Sequence, residues 1–156
     1  MKNFTPYFYK LLMITLLSLL PLAAGELNKS SVEDMIERLD EAADKQDIVF
    51  IARHIHPNAS ITMNVTISGK RQIMRATKQQ YIQLLTQGLQ SATSYEHEIS
   101  NLDITLKDGK AFASMKVKET LEINGQTQTG TSQENLTIEL IGDKLLITGI
   151  VAFTSL

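Results

Sequence analysis

The stretch SYEHEISNLDITLKDGKAFASMKVKETLEINGQTQTGTSQENLTIELIGDKLLITGIVAFTSL, Ser94 to Leu156, decides the fold. Two pairs in it, Asp108-Gly109 and Asn124-Gly125, are the residues that accept the positive φ angles of a two-residue hairpin turn. Gly142-Asp143 marks a third turn. Between the turns lie long segments rich in β-branched and alternating apolar residues. They predict four antiparallel strands, Tyr95–Leu106, Lys110–Ile123, Gln126–Ile141 and Lys144–Phe153.

Upstream, the pattern changes period. Val32, Met35, Ile36, Leu39, Ala42 and Ala43 recur at helical spacing, with Glu33, Glu37, Arg38, Glu41 and Lys45 on the other side. Ser30-Ser31, with Glu33 and Asp34 three residues on, reads as the capping box that opens this helix. Asp47 caps a shorter helix through Ile48, Phe50, Ile51 and Ile55, which Pro57 ends. Ser60 to Ile67 is a strand, Ser68-Gly69-Lys70 a turn, and Arg71 to Arg75 a short returning strand. Thr77 and Gln80 form a second capping box, before a helix with Tyr81, Leu84, Leu85 and Leu89 on one face. The fold class is therefore α+β: a cone-shaped, curved antiparallel sheet, made of a hairpin plus four long strands, packed on about three N-terminal helices.

Residues 1–25 read as a signal peptide and 26–156 as a single domain. Lys2 and Lys10 give a positive start, Leu11 to Leu22 a short apolar run, and Ala23-Ala24-Gly25 a small-residue cleavage site. The run is about 12 residues, against the roughly 20 that span a bilayer. A membrane role therefore requires the signal to stay uncleaved. Loss of Lys2 and Lys10 takes the net charge from -2 to -4. That balance, without a Lys/Arg cluster, excludes nucleic acid as a partner. The expected location is periplasmic or secreted. With no cysteine the domain has neither a disulfide nor a thiolate metal site. No cofactor fingerprint or third metal ligand accompanies His54 and His56, so neither a cofactor nor a metal is expected. Asn58-Ala-Ser60, Asn64-Val-Thr66 and Asn135-Leu-Thr137 are glycosylation triplets that matter only in a eukaryotic source.

The order helix, helix, hairpin, helix, four strands resembles the nuclear transport factor 2-like superfamily (the SnoaL-like or ketosteroid isomerase-like fold), as an exported bacterial member. The local pattern that carries the resemblance is Lys45-Gln46-Asp47-Ile48 followed by His56-Pro57-Asn58-Ala59-Ser60-Ile61. The superfamily holds enzymes such as ketosteroid isomerase and scytalone dehydratase, ligand binders, transport factors and secretion scaffolds. The resemblance therefore implies a fold and a pocket, not one activity. Where ketosteroid isomerases carry the aspartate base this chain has Met63, and where they carry the oxyanion tyrosine it has Leu39. Neither side chain transfers protons.

Three polar residues stand out among apolar ones. On the second long strand Ala111, Ala113, Met115, Val117, Glu119, Leu121 and Ile123 share a face; on the third, Glu134 sits with Leu136, Ile138 and Leu140. A tight turn at Asn124-Gly125 puts Glu119 opposite Gly130 and Glu134 opposite Met115, four positions apart and too distant for a carboxylate dyad. His97 shares a face with Tyr95 and Ile99, as a pocket base or a partner for Glu119. Glu119, Glu134 and His97 are the catalytic candidates. Leu39, Met63, Tyr81, Tyr95, Met115, Glu119 and Glu134 are the expected ligand-binding residues. The empty isomerase positions favour a non-catalytic envelope domain that binds a small apolar ligand or a protein partner. The alternatives are a small isomerase or dehydratase using the cavity carboxylates or His97, and a membrane-anchored secretion-scaffold subunit. The last strand is apolar on both faces, with Leu145, Ile147, Val151 and Phe153 on one and Leu146, Ile150 and Ala152 on the other. It therefore needs cover on both, which predicts a homodimer.

Overall fold

The computed structural model describes residues 26–67 and 69–155. The expected signal peptide, Ser68 of the Ser68-Gly69-Lys70 turn and Leu156 lie outside the described residues. The elements are α1 (Lys29–Asp44), α2 (Ile48–His54), β1 (Ile55–Ile67), β2 (Lys70–Ala76), α3 (Lys78–Gln90), β3 (Ser94–Lys107), β4 (Lys110–Ile123), β5 (Gln126–Ile141) and β6 (Lys144–Ser155).

The six strands form one curved, unclosed sheet in the order β2-β1-β6-β5-β4-β3. Strands β3 to β6 are joined by three tight hairpins. Asp108, Gly109, Asn124 and Gly125 all take positive φ, between 52° and 74°, and Gly142 takes 66°. These angles match the right-handed twist of the flanking strands. One pairing is parallel: β1 runs alongside β6, so the sheet is mixed. It brings the first of the described strands beside the last.

The helices cover the concave face. Val32, Met35 and Ile36 of α1 join Ala111, Ala113, Met115 and Val117 of β4 and Ile138 of β5 in the core. Burying each large aliphatic side chain contributes about 1.5–3 kcal/mol. Val32, Ala111 and Ile138 are fully buried, so this part of the core is closed.

Several local expectations change. The cap of α1 is Asn28, not Ser30 or Ser31: Asn28 Oδ1 accepts from Ser31 N at 2.8 Å, and Ser31 Oγ accepts from Asn28 N at 3.2 Å. Asn caps as well as Ser, and Ser31 then performs the return bond three residues on. Ile55 leaves the helix and opens β1, whose register against β6 is irregular between Ile55 and Ser60. Pro57 lies in that stretch, where its missing N–H breaks no ladder bond. The last strand carries a bulge: Thr137 pairs with Gly149, but Ile138 pairs with Ile147. Thr148 is the extra residue, and it donates to Glu139 Oε1 at 2.7 Å. A Cβ on Gly149 would stand 3.1 Å from Thr137 Oγ1, so glycine fits the close approach. Because a bulge reverses the alternation, Ile147 and Ile150 both face the core, while Val151 and Phe153 face outward.

Candidate functional site

Toward the other end of the concave face the sheet and helices part around a cavity of about 330 Å³. Helix α1 contributes Ile36, Leu39, Asp40 and Ala43, at i, i+3, i+4 and i+7, the spacing of one helix face. Helix α3 crosses the cavity with Tyr81, Leu84, Leu85 and Leu89, and none of its residues is fully buried. Strands β3, β4 and β5 present Tyr95, His97, Glu119 and Glu134. All the catalytic and ligand-binding candidates line this one cavity: Leu39, Met63 and Tyr81 from the first half, and Tyr95, His97, Met115, Glu119 and Glu134 from the second.

Their partners differ from expectation at one place. His97 and Glu119 are direct cross-strand neighbours, yet they do not pair. His97 Nδ1 lies 2.6 Å from Asp40 Oδ1, across 57 positions of sequence. The His97 backbone N–H donates to Asp44 Oδ1, one helical turn further along α1, at 3.1 Å. The edge strand β3 is thus tied to α1 by two carboxylates, and the imidazole is held by one of them. Glu119 Oε1 instead accepts from the Tyr95 hydroxyl at 2.8 Å. Tyr95 and His97 are roughly parallel, with ring centroids 6.2 Å apart.

Glu134 stands opposite Met115, and Glu119 opposite Gly130, the register that the Asn124-Gly125 turn dictates. Glu134 Oε1 accepts from the buried Ser132 hydroxyl at 3.2 Å. Burial raises the Glu134 carboxyl above its ordinary range, and the Glu119 charge pushes the same way. The Ser132 bond and His97 offset part of this. Burial also raises both tyrosine hydroxyls, assisted at Tyr81 by the Glu134 charge and at Tyr95 by the Glu119 charge. Tyr81 and Tyr95 therefore remain protonated donors.

Asp40 was not legible as a site residue. Its one signal is position: it lies beside Leu39 and four residues after Ile36, an acid on the apolar stripe of α1. His54 and His56 do not converge on each other. His54 Nδ1 is bound to Phe50 O, and His56 Nδ1 accepts from Asn58 N. Among the described residues no group of three His, Asp or Glu side chains is placed to hold a metal.

No protein-family model matches the sequence, and no curated protein matches it either. Solved structures do match. An NTF2-like protein from Cytophaga hutchinsonii superposes with a TM-score of 0.63 at 16% identity, over 81% of this chain and 98% of that one. A Novosphingobium aromaticivorans protein assigned as a scytalone dehydratase superposes with a TM-score of 0.62 at 15% identity, over 80% and 82%. LinA superposes with a TM-score of 0.64 at 15% identity, over 81% and 84%. The chain has the nuclear transport factor 2-like fold.

Proposed function

We propose that the cavity takes a small apolar molecule and that the Asp40–His97 pair removes a proton from it, as in an isomerase or dehydratase. The observation that carries this is the 2.6 Å contact between His97 Nδ1 and Asp40 Oδ1 on the wall of an apolar cavity. A carboxylate on Nδ1 holds the proton there and leaves Nε2 with its lone pair, the tautomer of a general base. Met63 and Leu39, the empty isomerase positions, favoured binding without chemistry. The pair supplies a base from a different position.

The chemistry closes with groups at hand. Nε2 takes a proton from carbon, and the C–H electron pair becomes a C=C bond. A hydroxyl on the neighbouring carbon departs with the proton of Glu134, leaving as water. In an isomerisation the proton returns to another carbon and nothing leaves. Burial raises the Glu134 carboxyl, the group placed to give the departing hydroxyl its proton.

Exchange of the α-hydrogens of 2-tetralone in D₂O, followed by NMR, tests the base without a known substrate. The wild-type protein should exceed the buffer rate. His97→Ala and Asp40→Asn should each lose about 100-fold or more, with unchanged thermal melts. Variants that exchange as fast as wild type would leave the cavity a binding site only.

Two further parts of the proposal rest on sequence and surface. Export follows from residues 1–25, and the secreted protein should begin near Glu26 on N-terminal sequencing. Self-association through the convex face is supported by Phe112 and Phe153, exposed at 42% and 43%. Sedimentation at micromolar concentration should show a dimer, and a monomer would refute it.

A further inference from the structure

The cavity lining has an unbalanced set of charges. Asp40, Glu119 and Glu134 all reach it, and no Lys or Arg does. Asp40 is engaged by His97. Glu119 and Glu134 have hydroxyl partners only, Tyr95 and Ser132. Tyr81, on α3, lines the same cavity, and its hydroxyl makes no hydrogen bond among the described residues.

An anion entering here would meet the Glu119 carboxylate with no Lys or Arg to offset it, in apolar surroundings where charge repulsion is poorly screened. An uncharged oxygen would meet the Tyr81 donor. We infer that Glu119, held in place by the Tyr95 hydroxyl, is the charge filter of the cavity. It rejects anionic ligands and selects uncharged apolar molecules that bear a hydroxyl or carbonyl oxygen. Tyr81 is the residue that receives that oxygen.

The position of Glu119 explains why one carboxylate performs this role. Its strand neighbours on the same face are Val117 and Leu121, which also line the cavity. The Tyr95 bond fixes its carboxylate against the wall, in the interval between His97 across the strand pair and Glu134 further along the sheet. A ligand near His97 must pass within the field of Glu119. The filter rests on the proposed function only for the identity of the cavity, and it is read by binding rather than by turnover.

The test compares two probes of one shape, 1-naphthalenemethanol and 1-naphthoate, by titration at pH 7. The wild-type protein should bind the alcohol at least about tenfold more tightly than the carboxylate. Glu119→Gln should bring the two within about threefold, chiefly by admitting naphthoate. Glu119→Asp, which keeps the charge, should retain the preference. Tyr81→Phe should weaken the alcohol and leave naphthoate unchanged. Equal binding of both probes by the wild-type protein overturns the filter and needs no variant. A preference that survives in both Glu119→Gln and Glu119→Leu overturns the role of Glu119. Loss of exchange activity in His97→Ala with the probe preference intact separates the two proposals. The filter then stands whatever the fate of the chemistry.

Discussion

Ala111 and Ala113 of β4 are sealed in a core shared with Val32 and Ile36 of α1, while the same face of the same strand continues as Glu119 and Leu121 into the cavity. The alternation of the strand does not change between these two ends. The cover does. Helix α1 buries Val32, Met35, Ile36 and Ala42, whereas α3 buries no residue completely. A sealed face accepts only side chains that need no water or partner. A face under a loosely seated helix keeps room for carboxylates, provided hydroxyls such as Tyr95 and Ser132 meet them. The cavity is thus the part of the core that α3 does not fill.

The difference between the two ends is broken most severely from the sealed side. Ile138→Ala, at a fully buried site, should cost about 2–5 kcal/mol, the range for losing a large aliphatic side chain and leaving a void. Urea melts measure it. A cost below 1 kcal/mol would mean that this end is as loosely packed as the cavity.

Glu134→Gln sharpens the contrast from the open side. Burial and the Glu119 charge raise the Glu134 carboxyl above its ordinary 4.5 in the folded protein. Below that value both folded and unfolded chains hold the proton, and the group has no effect. As pH rises, the unfolded chain releases its proton first, so stability falls until the folded group ionises as well. The amide variant should be about 1 kcal/mol more stable than wild type at pH 8. Its contribution to the slope above pH 4.5 should be gone. Parallel wild-type and variant profiles would show a solvated carboxyl.

Asn28→Ala tests the cap of the covering helix and should cost about 1 kcal/mol, while Ser30→Ala should stay within about 0.5 kcal/mol. The smallest effect belongs to α3. Leu84 is 47% exposed, and Leu84→Ala should change stability by less than about 0.5 kcal/mol. It should still weaken 1-naphthalenemethanol, because Leu84 lines the cavity. A large loss of stability would make α3 part of the core rather than its thin cover.

Local chemistry alone determined much of this protein. Asp-Gly and Asn-Gly pairs need positive φ angles, and a two-residue turn leaves one register open. The pairing of Met115 with Glu134 and of Glu119 with Gly130 therefore followed from counting residues. The period of the apolar positions separated helices from strands for the same reason: neighbours on a face are set by backbone geometry. Asn28 was missed as a cap because Ser30 and Ser31 offered the same oxygen chemistry two residues later. Tertiary structure decided the rest. The bulge at Thr148 reversed the faces of β6, and it depends on a close approach between Gly149 and Thr137 that no local pattern encodes. The parallel pairing of β1 with β6 joins the ends of the domain. The partner of His97 is Asp40, not its strand neighbour Glu119, because α1 crosses the edge of β3 and brings in a carboxylate from 57 residues away. Contacts between distant segments carry no periodic signature in sequence, since they depend on how finished elements pack.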